Sequence, residues 1–121
     1  LVTREVASQL PSLQSISIGI AQVFIMHTSA SLTLNENASP DVREDMEAYF
    51  NRIVPEHAPY FKHTIEGPDD MPAHIRSIIT HADLNLPVRA GRCDLGTWQG
   101  VYLWEHRQAP HHRKVTVTVT G

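Results

Sequence analysis

The sequence predicts an α+β domain, mainly antiparallel sheet or sandwich with about three helices, and three observations lead there. Val115, Val117 and Val119 alternate with Thr116, Thr118 and Thr120, the period of a strand buried on one face only. The run from Val101 to His106 divides into two faces, Val101, Leu103 and Glu105 against Tyr102, Trp104 and His106. Two segments begin as helices do, with Pro40 behind Ser39 and Pro72 behind Asp69 and Asp70. At 121 residues, without repeats or linker-like stretches, the chain is read as a single domain over 1–121.

Taken in order, Val6, Leu10 and Leu13 recur at helical spacing behind a Thr3 cap, so a short amphipathic helix is expected from Thr3 to Leu13, ended or kinked by Pro11. Ile16, Ile18 and Ile20, then Val23 to Met26, fit two strands or one long bent strand running into His27. Ser31 to Leu34 alternates and delivers Asn35 and Glu36 at its end. The second helix carries Asp41 and Glu44 near its positive end and an apolar stripe of Val42, Met46, Tyr49, Phe50 and Ile53, with Asp45 at the border of that stripe. A proline-containing loop follows, then a short extended stretch from Phe61 to Gly67. In the third helix Met71, Ile75, Ile78 and Ile79 are expected to face the core, and the four-residue spacing of Asp70 and His74 lets the carboxylate orient the imidazole. Strands are expected at Leu86–Ala90, Cys93–Leu95, Thr97–His106 and Lys114–Thr120, with a turn at Gly91.

The formal charge of −3 argues against a nucleic-acid binder, because phosphate backbones are held by clustered Lys and Arg. Arg89 with Arg92, and Arg113 with Lys114, suit a small anion instead. A single cysteine, Cys93, excludes an intrachain disulfide and reads as a buried, inert thiol. No apolar run is long enough to cross a bilayer and there is no secretory leader, so no membrane role and a cytoplasmic location are expected.

Eight histidines are many for this length. His57, His106, His111 and His112 lie beside proline, glutamine or other polar residues and are expected to be solvated. His27, His63 and His74 fall at the ends or inner faces of elements, with carboxylates nearby, and are the candidate ligands of a divalent ion. Local zinc signatures of the His-Glu-x-x-His or paired Cys-x-x-Cys kind are absent, as is the Gly-x-Ser-x-Gly elbow of a serine nucleophile. Gly96-Thr97-Trp98-Gln99-Gly100 has two readings: a glycine turn before a strand whose Trp98 packs in the core, or a close backbone approach to a ligand with Thr97 and Gln99 as donors. Arg89 and Arg92, astride Gly91, can clamp a phosphate.

Three segments carry a resemblance: His27-Thr28-Ser29-Ala30-Ser31-Leu32-Thr33-Leu34-Asn35-Glu36-Asn37, Glu66-Gly67-Pro68-Asp69-Asp70-Met71-Pro72-Ala73-His74-Ile75, and Gly91 followed five residues later by Gly96-Thr97-Trp98-Gln99. They closely resemble the YjbQ family, also called UPF0047, over nearly the whole chain. The resemblance implies a small, cytoplasmic, trimeric α+β protein with a secondary thiamine-phosphate synthase activity. Two departures stand out: the family has a further β-strand before the first helix, which is expected to be missing here, and His81 stands where the family usually turns through glycine.

The function expected is therefore the condensation of hydroxymethylpyrimidine diphosphate with a thiazole phosphate, a transferase reaction that releases pyrophosphate. For it the expected roles are His27, His63 and His74 on a zinc or magnesium ion; Glu36, Asp69, His74 and Glu105 as catalytic groups; Asn35, Arg89, Arg92, Thr97, Trp98 and Gln99 on a small phosphorylated metabolite. The alternatives are another metal-dependent enzyme, such as a phospho-metabolite hydrolase with Glu36 or Asp69 as base, and a non-enzymatic trimer binding a small anion.

Overall fold

The structure is a computed structural model that describes residues 1–8 and 15–121. Its elements are α1 (Thr3–Ser8), β1 (Ile18–Ile25), β2 (Ala30–Glu36), α2 (Pro40–Ile53), α3 (Asp70–Ile79), β3 (Asp83–Arg89), β4 (Arg92–Cys93), β5 (Gln99–Glu105) and β6 (Val115–Thr120). The α+β expectation holds, with three helices and antiparallel pairing of every strand among the described residues. Leu10, Pro11 and Leu13, which were to complete the first helix, lie outside the described residues.

Of the two possibilities for the early isoleucine-rich run, one long strand forms, β1, and it becomes the centre of a four-stranded sheet in the order β4-β3-β1-β6. Its Ala21, Val23 and Ile25 point inward and meet Leu84, Leu86 and Val88 of β3, while Ile18, Ile20 and Phe24 stay exposed on the other face. The β3–β4 hairpin turns through Ala90 and Gly91, both at positive φ (52° and 81°), as a two-residue primed turn requires. β2 and β5 form a separate two-stranded ribbon whose Ala30, Leu32 and Val101 close the core. The two sheets join where Leu32 N–H donates to His81 C=O at 2.8 Å, so the backbone of His81 serves as a bridge between them.

Three expectations about burial are corrected. In α3 the core-facing positions are Asp70, Pro72 and Ala73, and Ile78 and Ile79 are exposed, because the flank that meets β2 runs through Asp70, Ala73 and Ser77, whose Oγ lies 3.5 Å from the Ala30 carbonyl. In α2 no residue is buried, and Met46, Tyr49 and Ile53 of the apolar stripe are exposed. Trp98, 62% exposed, is no part of the core, and its truncation removes little packing. Asp45 is exposed, and Cys93 is half-buried with its thiol pushed up by burial, as an inert cysteine should be. Among the described residues no helix is long and apolar enough to cross a membrane.

Candidate metal centre and its surroundings

Asp70 opens α3, directly after a loop that passes through Gly67 at φ 108°. Pro68 and Pro72 restrict the chain on either side, and the helix start places the Asp70 carboxylate inside the molecule. One oxygen, Oδ1, accepts from Arg107 Nη1 at 2.8 Å. The other, Oδ2, lies 2.6 Å from His63 Nε2 and 3.4 Å from His74 Nε2. Burial alone would raise this carboxyl; the His63 hydrogen bond and the charges of His74 and Arg107 outweigh it and hold Asp70 below the usual carboxylate range.

His74 reaches Asp70 across one helical turn, as the four-residue spacing requires. Its Nδ1–H donates to the Thr28 carbonyl at 2.8 Å, which fixes the neutral ring as the tautomer with a lone pair on Nε2. In that tautomer the Nε2 lone pair faces a carboxylate oxygen, and either a proton on Nε2 or a metal ion between them would satisfy both. His63, Asp70 and His74 each offer one ligand atom, all within 4.8 Å of one another. Two imidazoles and a carboxylate with a solvent-facing side are the donor set of a zinc-type site with an open position.

Arg107 ties this cluster to the rest of the fold. Its Nε donates to Asp69 Oδ2 at 3.0 Å and its Nη2 to the Glu66 carbonyl at 2.8 Å, while Asp69 also accepts from the Gln108 N–H at 2.8 Å. The Gln108 bond first, then Arg107, hold Asp69 below its ordinary value against burial. Asp69 is thus a fixed acceptor. Glu105 is similar: burial would raise it, but the Arg113 ion pair and the Arg107 N–H at 2.9 Å hold it down. Asp69 and Glu105, two of the three carboxylates expected as catalytic groups, are thus engaged with arginines. Arg113, expected to suit a small anion, spends its guanidinium on Glu105 and Ser29.

The other expected site residues fall elsewhere. His27 does not join His63 and His74: its Nε2 accepts from the Lys114 N–H at 2.6 Å, and burial with the nearby Arg113 charge lowers its basicity. Asn35, Glu36, Thr97, Trp98 and Gln99 lie at the opposite end of the β2–β5 ribbon from Ala30 and Glu105. Six steps of strand, at about 3.3 Å each, put them about 20 Å away. Gln99 Oε1 braces its own turn by accepting from Gly96 N–H at 2.8 Å, and Asn35 Oδ1 accepts from Glu36 N–H at 2.8 Å. Arg89 pairs with Asp94 at 3.1 Å, and Arg89 and Arg92 sit beside Ile18, the end of β1 remote from His27. Within one chain these groups cannot share a small ligand with the His63–Asp70–His74 cluster.

His106 was expected to be solvated and is instead 6% exposed, with Nε2 against Ser31 Oγ at 2.8 Å. Burial, reinforced by Arg76, lowers it to about 4, so the ring is neutral. The alternation of β5 did place His106 on the face of Tyr102 and Trp104; the polar neighbours Glu105 and Arg107 concealed its burial.

Comparison with known proteins agrees with this fold and with the three sequence segments. The family described as UPF0047 protein YjbQ-like matches residues 1–121. UPF0047 protein sll1880 of Synechocystis is 53% identical over 106 residues, covering 88% of this chain and 72% of that protein. UPF0047 protein YjbQ of Salmonella typhimurium is 49% identical over 121 residues, covering 100% of this chain and 87% of that protein. Among solved structures, an uncharacterized conserved protein of the YjbQ/UPF0047 family from Clostridium acetobutylicum superposes with a TM-score of 0.86 at 34% identity, covering 98% of this chain and 88% of the other. With the family pattern matched from end to end and the fold shared, the chain belongs to the YjbQ (UPF0047) family.

Proposed function

We propose that this chain is a metal-dependent enzyme of a phosphorylated metabolite, with thiamine-phosphate synthesis as the reaction. The observation that carries the metal is the convergence of His63, Asp70 and His74, whose ligand atoms all lie within 4.8 Å of one another; with Nδ1–H committed to Thr28, the neutral His74 ring offers Nε2 to an ion. His63, Asp70 and His74 would hold the ion, with Asp70 in the place His27 was expected to take. This nitrogen-rich set suits zinc better than magnesium, which prefers oxygen and retained water. Bound there, such an ion supplies a Lewis-acidic centre for the oxygens of a phosphate or diphosphate.

The chain's own residues do the rest. Asp70 orients both imidazoles, Thr28 fixes one tautomer, and Arg107 holds the loop and helix start together by three hydrogen bonds to Asp69, Asp70 and Glu66. In the proposed reaction a C–N bond forms between the thiazole nitrogen and the pyrimidine methylene carbon while the C–O bond to diphosphate breaks and pyrophosphate departs. The specific reaction comes from the family resemblance. Elemental analysis of protein purified without chelator should find one zinc-type ion per chain. His74→Ala should lose it, together with thiamine-phosphate formation, and keep its helix, since alanine is the better helix former. No stoichiometric metal, with full activity in His74→Ala, would refute this reading.

A second reading, hydrolysis of a phosphorylated metabolite, is favoured by Glu66. Its exposed carboxylate lies 3.9 Å from His63 Nε2, at the solvent side of the cluster, where it would serve as the base toward water. Phosphate release from phosphomonoesters by the same preparation distinguishes it.

The remaining expectations complete the proposal: a cytoplasmic protein assembled as a homotrimer. Exposed Ile18, Ile20 and Phe24 on the outer face of β1 give association an apolar surface to cover. Light scattering at micromolar concentration should return three times the chain mass; a monomer would refute the assembly.

A further inference from the structure

The loop between α2 and α3 folds back on itself through three backbone bonds: Phe61 N–H to the Ala58 carbonyl at 3.0 Å, Gly67 N–H to that of Thr64 at 3.4 Å, and Asp70 N–H to that of Gly67 at 3.4 Å. These turns border a cleft of about 190 Å³ whose apolar walls are Ala58, Phe61, Pro68 and Met71. His63 lines it too, and His63 Nε2 lies 2.6 Å from Asp70 Oδ2. The cleft and the metal cluster therefore share one imidazole. His57 and Gly67, the two residues of left-handed backbone in this loop (φ 60° and 108°), also border the cleft. Such backbone costs free energy at a residue with a Cβ, as at His57, and is kept where the surrounding structure or its function requires it.

Size and lining together select an occupant. An apolar cavity of about 150 Å³ holds one benzene ring, and pockets for drug-sized molecules begin at about 300 Å³. At about 190 Å³ the cleft has room for one ring and a small substituent. Phe61 offers an aromatic partner and Met71 a polarizable thioether, and both favour an aromatic ring over an aliphatic one. Among the described residues no carboxylate, lysine or arginine borders the cleft, so a charged group entering it would lose hydration without a carboxylate or guanidinium to meet it.

We propose that the cleft is a ring subsite: it holds a single uncharged aromatic ring against Phe61 and Met71, and the phosphate of the same ligand extends past His63 to the metal cluster. Ala58 and Phe61 then set which rings are accepted. The phosphate half rests on the enzyme reading above; the ring half requires no metal.

The chain has three methionines, so isotope labelling of their methyl groups gives an NMR reporter in the cleft, Met71, and two exposed controls, Met26 and Met46. With chelator present, benzyl alcohol should shift the Met71 signal saturably and leave the other two in place. Benzoate and benzylammonium should bind at least about tenfold more weakly. Naphthylmethanol, with a second ring that finds no room, should bind no more tightly. Ala58→Leu fills the cleft and should weaken benzyl alcohol at least about tenfold with an unchanged far-UV spectrum. If that variant does not fold, Phe61→Leu, which keeps apolar bulk and loses the ring, should weaken it about three- to tenfold. In zinc-loaded protein, benzyl phosphate should bind at least about tenfold more tightly than benzyl alcohol. No saturable shift at Met71, tighter binding of the two-ring alcohol or of either charged probe, or unchanged affinity in the variant overturns the ring subsite. Equal affinity of the phosphate and the alcohol in zinc-loaded protein overturns its place beside the ion. A chain that takes up no zinc yet binds benzyl alcohol at Met71 refutes the metal reading and supports the cleft, so the two fail separately.

Discussion

Asp70→Ala should abolish metal retention and cost about 3–5 kcal/mol of stability, the effect of removing one partner from a buried charged network. The residue is 1% exposed, and its two oxygens serve different structures. Oδ1 receives Arg107, which also holds Asp69 and the Glu66 carbonyl; Oδ2 receives His63 and faces His74. Truncation strands the Arg107 guanidinium, leaves the loop before α3 without its anchor, and removes the carboxylate of the proposed metal site. His63→Ala makes the control. That ring is half exposed, so the variant should lose the metal with less than about 1 kcal/mol of stability. Urea denaturation and elemental analysis of both variants check the pair. An Asp70→Ala protein that keeps its metal and its midpoint would show that the carboxylate is neither ligand nor anchor.

The sequence shows this arrangement in part. Asp70 and His74 share a helix flank by spacing alone, and Pro72 marks the helix that carries them. The strand alternation at Val115–Val119 and Val101–His106 fixes which side chains share a face, and the structure keeps those faces. Periodicity does not say what covers a face. The stripe on α2 is real as a pattern, yet Met46, Tyr49 and Ile53 remain exposed because the helix rests on Trp104 at its edge. Likewise Ile78 and Ile79 follow the helical period but lie off the flank of α3 that meets β2, which carries Ser77 and the buried Ala73.

Distance along a strand is the second thing hidden. His27, Asn35 and Glu36 belong to one sequence segment with Thr28, yet β2 carries Asn35 and Glu36 to the far end of the ribbon and leaves Thr28 beside His74. Arg89 and Arg92, assigned as phosphate clamps from their turn, lie within one chain at the end of β1 remote from the cluster, and Arg107 is missed because a lone arginine after a strand resembles any solvated one. Its signal is the group Glu105-His106-Arg107 itself, three polar residues at the end of a strand whose earlier residues Val101 and Tyr102 are buried.

Between pH 6.5 and 4 the chain should lose about 3 kcal/mol of stability on account of His106 alone, at about 1.4 kcal/mol for each pKa unit. Burial, then the Arg76 charge and to a smaller degree Arg113, lower the imidazole from 6.5 to about 4 against the opposing pull of Glu105. In the unfolded chain the same ring protonates near 6.5. The unfolded state therefore takes up the proton first as the pH falls. Above 6.5 the stability associated with the neutral ring is fully present; it declines through the window and levels off below 4, where both states are protonated. Asp69, Asp70 and Glu105, all held below their ordinary values of 3.8, 3.8 and 4.5, add their own loss as the pH falls through those values and continue to do so below them. His106→Gln keeps a polar partner for Ser31 Oγ and has no proton to take up, so its stability should be nearly flat from pH 6.5 to 4.5 while the parent chain falls. Urea midpoints across that range check the difference. Parallel slopes would place the ring in contact with solvent and contradict its burial against Ser31 and Trp104.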